Sequence, residues 1–143
     1  MSAFNLCVNY GMKFKTAVIL GDYDWVNPDI TPNRFPTNQT EKNAILKAEL
    51  IHFNKFLEND DVIKKLGKMG YRPAEFRELL AFGQKYPKVQ NNFPVAAIGT
   101  IWHDQNKFPY AAYLHSYDSE RYLGMYWLVN AWRDFHRFLA IRK

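Results

Sequence analysis

The sequence predicts an α+β domain in which two helices pack on a small, twisted antiparallel sheet. Apolar residues recur at helical spacing in the middle of the chain and at every second position in its carboxy-terminal third. The clearest alternation runs through residues 121–132, where Leu123, Met125 and Trp127 fall on one face of a strand. We expect this face to pack in the core. The opposite face, which we expect to be exposed, carries Tyr122, Gly124, Tyr126 and Leu128.

Length and composition favour one compact domain without disulfides. The chain has 143 residues, of which 48% are hydrophobic and 17% aromatic, so a packed core is expected. Cys7 is the only cysteine, which excludes an internal disulfide and a multi-cysteine zinc site. The apolar stretches are shorter than the roughly 20 residues of a membrane-spanning helix, and the amino terminus lacks a signal-peptide pattern. We therefore expect a cytoplasmic or virion-associated protein.

The first 36 residues are predicted to form an arm and a loop. Residues 1–11 show no clean period and are expected to be a loosely attached arm, whereas residues 13–20 fit a short helix or a strand. Residues 22–36 contain three prolines among Asn and Asp, a composition that favours turns and extended backbone. The expected anchors of this surface loop are Trp25, Ile30 and Phe35.

Two helices are predicted in the middle of the chain. Asn59 or Asp60 is the expected cap of the first, which ends at Gly70. The second begins at Tyr71-Arg72-Pro73, with proline in its first turn, and ends at Pro87. The expected apolar stripe of the first helix is Val62, Ile63, Leu66 and Met69. The inward residues of the second are Phe76, Leu79, Leu80 and Gly83 or Tyr86. The preceding stretch, residues 44–53, fits either a helix or a buried strand.

The carboxy-terminal third is predicted to be an antiparallel meander. Residues 94–102 form its first strand and residues 103–107 a hairpin turn. Three further strands are expected at 110–114, 122–128 and 137–142. The side chains that hold this sheet in the core are predicted to be Trp102, Leu123, Trp127, Trp132 and Phe138.

The polar face of the meander is the candidate binding surface. Tyrosines occur there together with serine, asparagine, aspartate and histidine, which combine rigid amphipathic rings with adaptable hydrogen bonding. Period-two parity directs Tyr122 and Tyr126 away from the core, and a hairpin brings residues near Tyr117 beside them. The alternative interpretation is an ordinary solvent-exposed sheet face. The candidate ligand-binding residues are Tyr113, His115, Tyr117, Ser119, Tyr122, Tyr126, Asn130, Asp134 and His136.

Two other functions remain open. A small metal-dependent hydrolase would use His115, Asp118 or His136, but the histidines lack the spacing of a zinc protease. No nucleophile elbow, phosphate-binding glycine loop or dinucleotide fingerprint occurs, so we predict no enzyme activity, catalytic residue, metal or cofactor. A basic module that binds nucleic acid or protein would use the helical segment with Lys64, Lys65 and Lys68. Because a solvated helix face explains these lysines better, we do not expect nucleic acid as the partner.

The order of these elements resembles a known family. Two short helices, the second opening with residues 70–74 and containing Glu78-Leu79-Leu80, precede a tryptophan-rich meander that ends in Trp132 and residues 137–142. This order is similar to compact C-type lectin-like domains, especially the variable proteins of diversity-generating retroelements. The resemblance favours a strand over a helix at residues 44–53. It divides the chain into the arm and loop of residues 1–36 and a lectin-like domain, residues 37–143, with a terminal binding meander.

The resemblance implies a binding protein whose terminal segment is rewritten by adenine-directed mutagenesis to recognise varied targets. We expect the ligand to be a protein. Residues that such mutagenesis permits are Tyr122, Gly124, Tyr126, Leu128, Asn130, Asp134 and His136, whereas Met125, Trp127 and Trp132 fall outside the permitted set. The chain lacks the disulfides and the Glu-Pro-Asn calcium loop of extracellular lectins and the paired cysteines of formylglycine-generating enzymes. The sequence therefore argues against calcium-dependent sugar binding and oxidase chemistry.

Overall fold

The computed structural model describes residues 3–143, and this part of the chain forms a mixed α+β fold with three α-helices and eight strands. The helices are α1 (Phe14–Ile19), α2 (Asn59–Lys68) and α3 (Phe76–Lys85). The strands are β1 (Ala3–Asn9), β2 (Trp25–Val26), β3 (Asn43–Ile51), β4 (Tyr71–Pro73), β5 (Val95–His103), β6 (Pro109–Tyr117), β7 (Glu120–Trp127) and β8 (Arg137–Arg142). A 3₁₀ turn spans Val89–Asn91.

The eight strands form one mixed sheet, which is larger than the small antiparallel sheet that we predicted. Its order is β1-β3-β8-β5-β6-β7-β2, and β4 pairs with β8 outside this path. Strands β5, β6 and β7 form the expected antiparallel meander. Strand β8 does not continue it, because β8 lies between β3 and β5 and runs parallel to β5. The prediction of β8 as the last meander strand was wrong, since strand pairing between distant segments leaves no local pattern.

The expected loose arm is instead the edge strand β1. It pairs antiparallel with β3 over seven residues, from Ala3 opposite Glu49 to Asn9 opposite Asn43. Leu6 and Val8 are buried, because the even positions of this strand face the core. Pairing and burial together attach the described part of the arm firmly to the sheet.

The middle of the chain confirms one prediction and corrects others. Residues 43–51 are a strand, as the resemblance favoured. Helix α2 lies where it was expected, but its N-cap is Glu58, so the prediction of Asn59 or Asp60 as the cap was wrong. The second helix, however, begins only at Phe76, because Tyr71–Pro73 pairs with β8 as β4. Glu75 caps α3 in a reciprocal capping box, in which the Glu75 backbone N–H donates to the Glu78 carboxylate at 2.7 Å. The predicted inward residues Phe76, Leu79, Leu80 and Gly83 are buried.

Apolar side chains pack on both faces of the sheet. Alternate residues of β8 enter different clusters: Leu139 and Ile141 pack with α3, whereas Phe138 and Ala140 pack with Val62 and Leu66 of α2. Both faces of the sheet are covered. Alternate residues along a strand therefore face two halves of the core, instead of the core and the solvent. The predicted exposed face of β7 is therefore only partly exposed: Gly124 and Leu128 are buried, and Tyr122 and Tyr126 are half-buried.

The predicted core residues divide into buried and exposed ones. Leu123, Trp132 and Phe138 are buried, and Trp102 is half-buried. Trp127 is 40% exposed and packs edge-on against Phe108, which is also exposed, so the prediction of a core tryptophan was wrong. Further predicted apolar anchors prove exposed, namely Trp25, Ile63 and Met69.

A buried carboxylate joins β4, α3 and the end of β1. The Glu78 side chain is inaccessible to solvent and pairs with Arg72, whose Nη2 lies 2.7 Å from Oε2. The Tyr10 hydroxyl also donates to this carboxylate. Burial and this hydrogen bond raise the pKa of Tyr10 above its ordinary range. The network satisfies a buried charge, as such a position requires.

Among the described residues, no helix is long and apolar enough to cross a membrane.

Candidate binding site

An open cleft of about 690 Å³ lies beside β6 and β7, where the segment before β8 crosses them. Five of the nine predicted site residues line it. They are Tyr113, His115, Tyr126, Asn130 and His136. The cleft thus combines residues from two neighbouring strands with residues from the connection between β7 and β8.

The register of β6 and β7 builds one wall of the cleft. Tyr113 and His115 share a face of β6, two positions apart, and their rings stack with centroids 4.4 Å apart. Gly124 lies opposite Tyr113 on β7. A Cβ atom at Gly124 would lie 2.7 Å from Nε2 of His115, so the His115 ring occupies space that any other residue would fill. Glycine at this position therefore fixes where the imidazole lies.

His136 and Tyr126 line a second part of the cleft, and the buried Trp132 packs against both rings. The Tyr126 ring stacks on Trp132 at a centroid distance of 4.1 Å, and its hydroxyl donates to the Ala131 carbonyl at 2.6 Å. The His136 ring packs edge-on against Tyr126 at 5.0 Å. The Arg133 backbone N–H donates to Nδ1 of His136 at 3.1 Å, so the neutral ring carries its proton on Nε2.

Burial makes both imidazoles of the cleft weak bases. It lowers the pKa of His136 to about 4, with a further contribution from the nearby Arg133 charge. Burial also lowers the pKa of His115. Both rings are therefore neutral near pH 7. Burial raises the pKa of Tyr113, which keeps its hydroxyl protonated.

The rim of the cleft contains residues that the sequence did not predict. Phe56 and Phe135 are 57% and 49% exposed, and the Arg133 guanidinium lies over both rings, 5.0 Å and 6.0 Å from their centroids. Phe56 reaches the cleft because Leu57 and Trp132 exchange two backbone hydrogen bonds, of 3.1 Å and 2.8 Å. Arg133 and Phe135 lie within the predicted polar segment, but no local pattern connects them with Phe56.

A buried glutamine supports the wall from behind. The Gln90 amide, in the 3₁₀ turn, donates to the carbonyls of His115 at 2.8 Å and Tyr122 at 3.2 Å. These two residues are directly paired across β6 and β7. Gln90 therefore fixes the backbone that carries His115. Gln90 lies outside any recognisable motif, so the sequence did not indicate this supporting role.

The other four predicted residues lie outside the cleft. Tyr117 and Ser119 are exposed at the β6–β7 turn. The Tyr122 ring packs against His115 at 5.2 Å and against Trp25 at 6.1 Å. The backbone oxygen of Asp134 lies 2.6 Å from Nε2 of His52. These residues border the cleft region without lining it, and their role in binding stays a prediction.

The structure separates the residues named for a metal-dependent hydrolase, because His115 and His136 line the cleft and Asp118 does not. Within residues 3–143, no three His, Cys, Asp or Glu side chains are grouped so that they could hold a metal ion. Asp118 lies in the β6–β7 turn with a positive φ of 50° and does not line the cleft. The Ser116 hydroxyl, which also lines the cleft, lies within hydrogen-bond distance of the Glu120 carbonyl (2.8 Å) and of Oδ1 of Asn91 (3.0 Å). Its hydrogen bonds therefore have a structural role.

The basic helical segment does not form one continuous cationic surface. Arg72 is paired with the buried Glu78, Arg77 lies over the Phe14 ring, and Lys85 donates to the Asn5 carbonyl at 2.7 Å. Lysines that remain on the surface of α2 include Lys64 and Lys68. Comparison of the chain with protein-family models, curated proteins and solved structures gave no match.

Proposed function

We propose that this protein binds another protein through the cleft beside β6 and β7. The observation that supports this most strongly is the convergence of Tyr113, His115, Tyr126, Asn130 and His136 on one open surface. Half-buried aromatic rings with polar tips are the side chains that contribute most to protein recognition, because they bury a large area at low entropic cost.

The shape of the cleft favours a protein over a small molecule. Small ligands are usually enclosed, with most of their surface buried by the pocket. Here the cleft is open, and the rings of Phe56 and Phe135 at its rim are about half exposed. A partner that covered this rim would bury apolar area that a small ligand leaves in water.

The proposal includes the lectin-like, retroelement-diversified origin that the sequence resemblance implies. Packing restricts which positions would vary without loss of stability. Asn130 and Asp134 are exposed and would accept substitution, whereas Gly124, Leu128 and His136 are buried. Diversification is tested by the neighbouring DNA, which should contain a reverse transcriptase gene and a near-identical repeat of the terminal coding segment that differs at adenines. Neighbouring DNA without such a repeat would contradict diversification and leave the cleft proposal intact.

Site-specific photocrosslinking tests the binding function. A photoreactive phenylalanine analogue replaces Phe135 at the rim, and the same analogue replaces Ile45 in a control protein. Ile45 is 82% exposed on β3 and does not line the cleft. Each protein is irradiated in the cells that produce it or in the particles that contain it. We expect one discrete protein adduct from position 135 that is absent from position 45.

Two results would contradict the proposed function. One is a set of adducts that is the same from both positions, because a specific cleft must distinguish them. The other is a nucleic-acid adduct at position 135, which would favour the basic-module alternative.

A further inference from the structure

We propose that the part of the partner that enters the cleft is an acidic protein segment, with a carboxylate against Arg133 and His136 and an apolar side chain on the adjacent rings. This inference rests on the proposed function and specifies the chemistry of its ligand.

The charge of the cleft is the first argument. Arg133 is the only lysine, arginine, aspartate or glutamate among the described residues that line it. The ion pairs of the described chain join Arg34 to Asp29, Arg72 to Glu78 and Arg142 to Glu49, so Arg133 has no carboxylate partner among them. The chain also carries a formal net charge of +5. An unpaired guanidinium at an open cleft attracts an anionic group.

Aromatic rings hold this guanidinium in place. Arg133 lies over Phe56 and Phe135, at 5.0 Å and 6.0 Å from the ring centroids. Burial raises the pKa of Tyr126, and the Arg133 charge opposes part of this rise. Burial lowers the pKa of His136, and the Arg133 charge lowers it further. The guanidinium is therefore electrostatically close to the floor of the cleft. Stacking on the rings reduces the conformational entropy that Arg133 loses when it binds a carboxylate.

The hydrogen-bonding groups of the cleft are the second argument. Nδ1 of His136 accepts the Arg133 backbone N–H, which leaves Nε2–H as the donor of the neutral ring. Neither this group nor the Tyr113 hydroxyl has a hydrogen-bond partner within residues 3–143. Together with the Arg133 guanidinium, these groups give the cleft several N–H and O–H donors. A carboxylate, which only accepts hydrogen bonds, complements this set.

The rings define the second half of the ligand. Tyr113 and Tyr126 meet edge to face at 5.7 Å beneath the exposed rim of Phe56 and Phe135. An aromatic or large aliphatic side chain beside the carboxylate would bury these rings. A free aromatic acid has the same two groups, but it would leave most of the rim in water. The open shape therefore favours a chain segment as the source.

Matched peptides test the inference by NMR titration of the purified full-length protein. The probes are N-acetylated, C-amidated peptides of sequence Ser-Glu-Phe-Glu-Ser, Ser-Gln-Phe-Gln-Ser and Ser-Lys-Phe-Lys-Ser. We expect the glutamate peptide to shift resonances of Tyr113, Tyr126 and His136, with about tenfold tighter binding than the glutamine peptide. Raising the salt concentration from about 50 to 300 mM should weaken it, because screening acts on the ion pair. The small acid 3-phenylpropionate is the fourth probe and should bind at least about fivefold more weakly.

Two arginine variants provide the matched comparison. Arg133→Gln should remove the preference for glutamate over glutamine. Arg34→Gln should keep it, because the Arg34 guanidinium also lies over an aromatic ring, Trp102 at 4.5 Å, but outside the cleft.

Several results would overturn the acidic-segment inference. They are equal or tighter binding of the glutamine or lysine peptide, an unchanged preference in Arg133→Gln, no saturable binding of the glutamate peptide, and shifts confined to residues outside the cleft. Binding of 3-phenylpropionate as tightly as the glutamate peptide would identify a small acid as the occupant and refute the segment. A partner crosslinked through position 135, together with failure of the glutamate peptide, would retain the protein-binding function and reject only its acidic chemistry.

Discussion

Substitution of Gly124 by alanine should damage the cleft at one defined point. The added Cβ would lie 2.7 Å from Nε2 of His115 and 3.4 Å from Cε1 of Tyr113, and the first of these distances is far inside van der Waals contact. The His115 ring must therefore rotate away and lose its 4.4 Å stack on Tyr113. We expect Gly124→Ala to lower the free energy of unfolding by about 1–3 kcal/mol, as overpacking of a filled site does.

Two measurements check this prediction. Urea denaturation gives the free energy of unfolding, and NMR titration gives the pKa of His115. Burial lowers this pKa, so displacement of the ring into water should raise it toward its ordinary value of 6.5. The stability and the pKa should change together, because one ring movement causes both.

Gly67→Ala is the matched control. Gly67 lies on the exposed side of α2 with nothing within 4 Å of a built Cβ, so the same substitution should stabilise the protein by about 0.5–1 kcal/mol. A Gly124→Ala protein that is as stable as the wild type, with an unchanged His115 pKa, would refute the proposed packing of the wall.

Three further predictions concern the core and its buried ionisable groups. Trp132→Ala should lower the free energy of unfolding by about 3–5 kcal/mol because the ring is buried. Trp127→Ala should lower it by only about 0.5–1.5 kcal/mol. If urea denaturation gave the reverse order, the assignments of Trp132 as buried and Trp127 as exposed would be wrong. The free energy of unfolding should decrease by about 2–3 kcal/mol as pH falls from 6.5 to about 4, because His136 stays neutral when folded but protonates in the unfolded chain. Its stability contribution is fully present above pH 6.5, and a pH profile that His136→Gln leaves unchanged would rule out this origin. Glu78→Ala should cost about 3 kcal/mol by leaving Arg72 without its buried partner, and a loss below about 0.5 kcal/mol in thermal or urea unfolding would show that the pair is dispensable.

Local patterns predicted the elements that local forces decide. Alternation located β5, β6 and β7, and an apolar stripe followed by a glycine located α2, although the predicted cap was wrong. The alternation of Leu123, Met125 and Trp127 also placed them correctly on one sheet face, since Trp127 pairs with Tyr110 in the same register. It did not predict burial, because parity assigns a face but not the distance from the core.

Only some of the misassigned elements depend on partners that are distant in sequence. Strand β1 has a local alternation that the sequence interpretation missed, with Leu6 and Val8 buried and Asn5 and Asn9 exposed. In contrast, β4 is a strand because it pairs with β8. The cleft shows the same division. Tyr113 and Tyr126 could be predicted from the alternation along their strands and from their side-chain types. Phe56 could not, because it reaches the cleft through the bridge between Leu57 and Trp132.

The affinity for the crosslinked partner tests the central claim most directly. Phe135→Ala removes an exposed ring at the rim of the cleft, and Ile45→Ala removes an exposed side chain outside it. Calorimetric titration should show about 2 kcal/mol weaker binding for Phe135→Ala, or roughly thirtyfold in Kd, with unchanged urea stability. Ile45→Ala should bind within about twofold of the wild type, as expected outside the interface. Unchanged affinity in Phe135→Ala together with weakened binding in Ile45→Ala would contradict the cleft as the binding site.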